Sequence, residues 1–284
     1  LRNRVRRGDL IGPRIITSGA PIDAPGPNTA VDGAGTPEQA RAAVDGQVAA
    51  GVDFIKVYSS LDSTLIRAVV DQAHKHGVPV VGHLWQTSWT DAARIGIDGI
   101  THIIVNNERL LPAAKREEYR KTYLNGQFMF DWFRLVDFDG PEITEMIRTL
   151  VDKRISIDPT LVAFEGTAWW DQPDHYPKEA DTFVPPTFLA KWASMNSMRG
   201  WTAAEYANAR QQFPRMQELA RRLHQAGVPL TVGVDHANPW MFHHEMELLA
   251  GAGRSNGAVL RRATQDGALP VGVTLEIGTI EVGK

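Results

Sequence analysis

Apolar positions along this chain follow two rules in alternation. In one kind of stretch they recur at helical spacing, as Leu65, Ile66, Val69, Val70 and Ala73 do, and so mark one face of a helix. In the other they run together as a short block opened by Gly-Val or Gly-Ile, the mark of a buried strand. Four such blocks end on a polar residue. Gly51 leads to Lys56, Gly77 to His83, Gly96 to His102 and Gly227 to Asp235, at offsets of 5, 6, 6 and 8. Parallel α/β proteins place their chemistry at the carboxyl ends of strands, so these four residues are the first candidates for a site.

The remaining elements follow from the same pattern. Residues 11–19 read as a strand, and the Pro-, Gly- and Asp-rich residues up to 35 as a loop. Thr36-Pro37-Glu38-Gln39 opens a helix that runs to about residue 50. Thr36 can cap it, Pro37 suits its first position, and Gln39 can reach back. Helices are expected from Ser63 to Gly77, over 90–95 and over 141–153, and a strand over 155–164. Residues 106–140 are less regular and read as polar helix and loop. Residues 165–201 carry Trp169, Trp170, Trp192 and Trp201 among several prolines, and read as a βα loop grown into a lid. Residues 202–225 are helical with an expected break at Pro214, and helices over 241–250 and 258–266 close the pattern. Crossovers of this length make the strands parallel. Six strands, centred on Ile15, Ile55, Val81, Ile100, Ile157 and Val232, suit either a doubly wound sheet or part of an eight-stranded barrel.

Composition narrows the chemistry. The 284 residues are 43% apolar and 22% charged, as in ordinary globular proteins, and can bury a sizeable core. The net charge is −3 with Lys and Arg scattered, so neither a nucleic-acid nor an anionic-membrane surface is expected. No apolar run approaches the ~20 residues that span a bilayer. The expectation is a soluble protein, with cytoplasm and periplasm both open. Cysteine is absent, so a metal would have to bind through histidine, carboxylate or a modified lysine. Both ends read as cut. Residues 1–8 resemble the end of a helix closed by Gly8, without an initiator Met or signal-peptide pattern, and 278–284 resemble a hairpin start with no strand to follow.

His83, His102 and Asp235 are ordinary ligands for zinc or a similar divalent ion. Lys56 is not, because a protonated amine repels a cation and offers it no lone pair. It becomes a ligand once the neutral amine takes up CO₂ to form a carbamate, whose two oxygens can bridge two ions. Desolvation near cations favours the neutral amine this needs. Taken singly, each candidate has a plain structural reading. Lys56 could be a solvated strand-end lysine, each histidine a satisfied core residue, and Asp235 a loop cap.

Strand-end Lys, His, His and Asp, in that order, resemble the amidohydrolase superfamily, in its imidazolonepropionase-like or prolidase-like branch. The segments that carry the likeness are Phe54-Ile55-Lys56-Val57-Tyr58, Val81-Gly82-His83 and Ile100-Thr101-His102, then His243-His244-Glu245-Met246, Arg262-Ala263-Thr264 and Gly278-Thr279-Ile280-Glu281-Val282-Gly283-Lys284. The resemblance implies an α/β fold, a TIM-type (β/α)8 barrel. Strands three to eight would be present here and strands one and two absent. It implies a barrel domain over 1–270, with the lid-like insertion near 165–201, and over 271–284 the truncated start of a return to a small β-sandwich. By the same likeness Lys56 is the carboxylated bridge, His83 and His102 bind one metal, and Asp235 binds the other and shuttles the proton. The cofactors implied are two zinc ions in the intact protein and a CO₂-derived carbamate on Lys56.

The activity implied is hydrolysis of a C–N bond in a cyclic amide, N-acyl amino acid or small peptide by a metal-activated hydroxide. Lactone or phosphotriester hydrolysis at the same site is the near rival, and a non-catalytic remnant domain the distant one. The partner expected is a small-molecule substrate, with a homo-oligomer left open. The family's His-x-His of strand one is missing. The His-x-His present, His74-Lys75-His76, falls at a helix end before the His83 strand and reads as surface. Tyr58 shares the face of Lys56 and reads equally as a substrate contact or as packing. His236 is a weaker candidate, for contact with substrate or for support of a ligand. The tryptophans could line a pocket or bury the lid, and Arg199 and Arg210 could meet a substrate carboxylate, though nothing singles them out.

Overall fold

A computed structural model describes every residue except 27–29, 126, 173, 178–180, 183, 195–199, 236–237, 269–276 and 284. The strands are β1 (Ile22–Asp23), β2 (Asp32–Gly33), β3 (Ile55–Val57), β4 (Val80–Gly82), β5 (Gly99–Thr101) and β6 (Ser156–Asp158). The helices are α1 (Arg2–Arg6), α2 (Pro37–Ala49), α3 (Ser63–Lys75), α4 (Trp89–Ile95), α5 (Ala113–Arg120), α6 (Phe128–Leu135), α7 (Pro141–Asp152), α8 (Leu161–Ala168), α9 (Pro186–Ser194), α10 (Ala203–Gln225), α11 (Trp240–Gly251) and α12 (Asn256–Ala263). All pairings are parallel, in the order β2-β1-β3-β4-β5-β6. Leu230 extends the sheet beyond β6 through a parallel bridge to Ile157. A parallel sheet flanked by helices in this order is part of a TIM-like barrel. No helix among the described residues is long and apolar enough to cross a membrane.

The helices form where their signals stand. Asp62 caps α3 by accepting from the amides of Thr64 and Leu65, and Gly77 ends it with φ 69°. Its Ile66, Val69, Val70 and Ala73 are buried, and each large aliphatic side chain removed from water contributes roughly 1.5–3 kcal/mol. Thr36 caps α2 as expected, but the Gln39 side chain reaches back to the amide of Gly35 rather than to Thr36 itself. α10 runs unbroken through Pro214. A helix-interior proline costs about 3 kcal/mol. The buried face of Tyr206, Phe213, Met216, Leu219 and Leu223 offsets that several times over.

Three expectations are corrected. Residues 11–19 make a single bridge, Ser18 to Phe54, and not a strand. The amide of Thr17 is taken by the Asp53 carboxylate, which removes it from any ladder. The first strand pair instead lies in what reads as loop, at Ile22–Asp23 and Asp32–Gly33. The strand expected over 155–164 stops at Asp158. Pro159 cannot donate, and Thr160 turns left-handed (φ 49°) into α8. The irregular residues 106–140 hold α5 and α6, whose Tyr119, Phe130, Trp132 and Phe133 are fully buried.

The tryptophan-rich segment is packed inward at its two ends. Trp169 meets Phe213 edge-on at 5.6 Å, and Trp201 meets Phe130 at 6.0 Å. Arg210 is engaged by Asp171 at 2.6 Å and by the Ala168 carbonyl, a structural tie; Arg199 lies outside the described residues. The expected return over 271–284 falls outside the described residues at 271–276 and at 284; Ile280 and Val282 within it are fully exposed.

Candidate active site

Parallel register fixes which candidates stand side by side. Lys56 pairs with Val81, Gly82 with Ile100, and Thr101 with Asp158. Continued along each strand, that register sets Tyr58, His83, Thr101 and Asp158 in a row across neighbouring strands on one face. Ile55 and Val57 are fully buried on the other face, so Lys56 between them turns to the same side as that row. The ring of Tyr58 lies 4.7 Å from His83. The Lys56 amine donates to the Thr101 hydroxyl, which in turn donates to the Gly82 carbonyl.

His102 is one residue past Thr101, so regular alternation would send it to the outer face. Its backbone is left-handed instead, with φ 72°. That turn brings its ring to 4.7 Å from His83 and its Nε2 to 3.9 Å from the Asp235 carboxylate. Asp235 is itself left-handed, with φ 46°. Among the described residues five non-glycine positions have positive φ, and His102, Thr160 and Asp235 are three of them. Left-handed backbone disfavours side-chain-bearing residues, so its concentration here marks a site held by its surroundings rather than by local preference.

Burial sets the electrostatics. It pushes Lys56 down to about 8, against the pull of Asp235 and Asp158, so roughly a tenth of the amine is neutral at pH 7. His83 is pushed down to about 4 by burial and then by Lys56. His102 is lowered by burial, by His83 and by Lys56. Both imidazoles are therefore neutral near pH 7, with a ring nitrogen lone pair available. The carboxylate of Asp235 is raised by loss of water on the side facing Lys56, although its outer side is exposed, and the Lys56 charge opposes the rise. Burial pushes Asp158 up to about 6, again against Lys56. Tyr58 is raised by burial and then by Asp235 and Asp23.

Lys56, His83, His102 and Asp235 are thus brought to one end of the sheet, Tyr58 beside them. His236 lies outside the described residues. His74 and His76 stay on the surface, as expected, and bond to Asp98 at 2.9 Å and Asp45 at 2.7 Å. Below the row a cavity of about 980 Å³, lined by Lys56, Thr101, Ser156, Asp158 and Thr231, runs toward the amino ends of the strands.

Sequence reasoning missed Thr101, Asp158, Thr160 and Glu245. Asp158 ends β6, but no glycine announces it. The left-handed turn that glycine makes at 51, 77, 96 and 227 is made by Arg154 with φ 55° before β6. Asp158 accepts from the Gly233 amide, and its Oδ1 is buried with no partner among the described residues. A Cβ at Gly233 would collide with that carboxylate, so only glycine fits there. Thr160 and Glu245 carry no local signal, because their partners are distant in sequence.

No family model matches this sequence, and no curated protein matches it. The fold does match solved structures. One is a Xaa-Pro dipeptidase with methionine bound in its active site, at 19% identity and TM-score 0.66, over 100% of this chain and 63% of that one. A second is bottromycin amidohydrolase, at 25% identity and TM-score 0.69, over 95% and 58%. A third is a prolidase complexed with N-methylphosphonate-L-proline, at 19% identity and TM-score 0.64, over 99% and 63%. The fold is that of the prolidase-like amidohydrolases, and the chain spans about three-fifths of the length of these structures.

Proposed function

We propose that this chain forms the catalytic core of a metal-dependent amidohydrolase, which cleaves a C–N bond in an N-acyl amino acid, small peptide or cyclic amide. The observation that carries the reading is the meeting of two neutral imidazoles, a carboxylate and a desolvated lysine toward one end of the parallel sheet. The names of the solved structures with this fold point to the same bond type.

The donors suit a divalent ion such as zinc. The Nδ1 of His83 is buried with no partner among the described residues. The Nδ1 of His102 is engaged by Thr160 at 2.9 Å, which leaves Nε2 as the nitrogen toward Asp235. As the side chains stand, no three His, Asp or Glu among the described residues enclose an ion. The fit therefore rests on the chemistry of the donors, two neutral imidazoles and a carboxylate. His83, His102 and Asp235 would hold the metal, with a carboxylated Lys56 as a further oxygen ligand. When bound, the metal supplies Lewis-acid polarisation of a carbonyl and a lowered pKa for water.

The chain's own residues supply the rest. Asp235 sits at the rim with its side chain 66% exposed, so it can take a proton from the attacking water and return it to the leaving nitrogen. Thr101 holds the Lys56 amine, and Tyr58 flanks His83 where substrate would enter.

The test is to reconstitute the protein with zinc and bicarbonate, then measure bound metal and turnover of Xaa-Pro dipeptides, N-acyl amino acids, lactones and phosphotriesters. Amide turnover that disappears in Asp235→Asn is expected. Turnover of esters alone would move the reading to the ester hydrolase. Absence of both bound metal and turnover would leave a binding domain.

A further inference from the structure

We propose that Glu245 is a positioning residue for His102, acting through the first turn of α8. The inference rests on the reading of His102 as a site residue; its test does not depend on hydrolysis. The first amides of a helix need partners, and a Thr at the N-cap ordinarily supplies one through its hydroxyl. Thr160 stands at that position in α8 but makes no side-chain cap bond, and its backbone is left-handed (φ 49°, ψ 44°) rather than extended. Its hydroxyl is turned to the Nδ1 of His102 instead, at 2.9 Å. The orphan amides of Leu161 and Val162 donate to the two carboxylate oxygens of Glu245, at 3.0 and 2.7 Å.

The two jobs of a capping threonine are thereby divided. Glu245, fully buried and more than eighty residues away in sequence, does the capping. Burial pushes its carboxyl up to about 8 against the pull of the two donating amides, so the cap rests on the two hydrogen bonds rather than on charge. Thr160, released from that duty, can accept from the Nδ1–H of His102. The Nε2 lone pair of His102 is then directed toward Asp235. His102 needs such a hold, because its own left-handed backbone (φ 72°) does not favour the orientation it adopts. The geometry also links two neighbouring units of the barrel, since α8 follows β6 and α11 follows the Asp235 segment. His244, beside Glu245, makes a second tie by contacting Glu165 of α8 at 2.6 Å. The two helices therefore stay docked when the Glu245 carboxylate is altered.

The test reads the tautomer of His102 by ¹⁵N spectroscopy of histidine-labelled, metal-free protein. Wild type is expected to carry the proton on Nδ1. Glu245→Gln, which replaces one acceptor by a donor facing the helix amides, is expected to give mixed tautomers at His102 while His83 signals hold. Thr160→Val should do the same, and Thr160→Ser should retain the wild-type state. Zinc affinity should fall about 10- to 100-fold in Glu245→Gln and in Thr160→Val, the usual effect of losing a group that orients a ligand. If Glu245→Gln does not fold, Glu245→Asp, which withdraws the two acceptor oxygens on a shorter arm, is expected to show the same tautomer change. An unaltered His102 in either folded Glu245 variant, or a wild-type His102 protonated on Nε2, overturns the proposal. Failure of zinc binding in wild type would instead count against the metal reading, and the tautomer comparison would still decide the role of Glu245.

Discussion

The chain contains two histidine pairs, and they behave oppositely. His74 and His76 are close in the sequence and look like a ligand motif. They sit at the end of α3, exposed, and each is occupied by an acid of its own. His83 and His102 are nineteen residues apart, on different strands, yet their rings stand 4.7 Å apart. Burial keeps the second pair neutral, and the Nδ1 of His83 has no partner among the described residues. Spacing along a chain identifies ligands only when the secondary structure gives it direction. Residues two apart on a helix point to different sides, whereas residues at the ends of adjacent parallel strands share one rim.

The widest separation between the two pairs is expected in catalysis. In zinc-reconstituted protein, His102→Ala or Asp235→Asn should lower kcat by about 10³-fold or more, the scale of losing a ligand or a proton carrier, while His74→Ala and His76→Ala stay within about twofold. Comparable losses from the surface pair would break the comparison. Steady-state kinetics on a responsive amide substrate reads it.

Next comes the packing around the site. Gly233→Ala drives a Cβ into the Asp158 carboxylate and should cost about 1–3 kcal/mol. Gly46→Ala, on the open surface of α2 with nothing near the new methyl, should gain about 0.5–1 kcal/mol from helix propensity. Urea midpoints of the two variants should move in opposite directions.

Acid sharpens the contrast through stability. His83 is held near 4 in the folded protein against an ordinary 6.5, so between those values the unfolded chain binds the extra proton. Stability of metal-free protein should therefore fall as pH drops from 6.5 to 4, by on the order of 2 kcal/mol from this group. His83→Asn should flatten the slope, and an unchanged slope in that variant would show that burial is not acting on this ring.

The smallest effect belongs to the surface. Removing the His76–Asp45 contact, whose side chains are 38% and 51% exposed, should change stability by less than about 1 kcal/mol.

The glycine-opened blocks made the parallel α/β class readable from sequence, together with four candidate residues that the fold brings near one another. Thr36 and the apolar stripe of α3 were readable for the same reason, since caps and helical faces depend on nearby residues. The strand before Ile22 was misplaced because the decisive contact, Asp53 with the amide of Thr17, is long-range. Asp158 stayed hidden because Arg154 makes the turn that glycine makes elsewhere.

By itself, then, the sequence determined the alternation of helix and parallel strand and which side chains follow the glycine-opened blocks, since periodicity and turn residues act over a few positions. Only the tertiary structure decided which way those side chains face. His102 turns inward through a left-handed backbone, Asp158 fits because Gly233 has no side chain, and Glu245 reaches a helix end more than eighty residues away. Each of those outcomes depends on hydrogen bonds and close approaches between segments that meet only after the chain has folded.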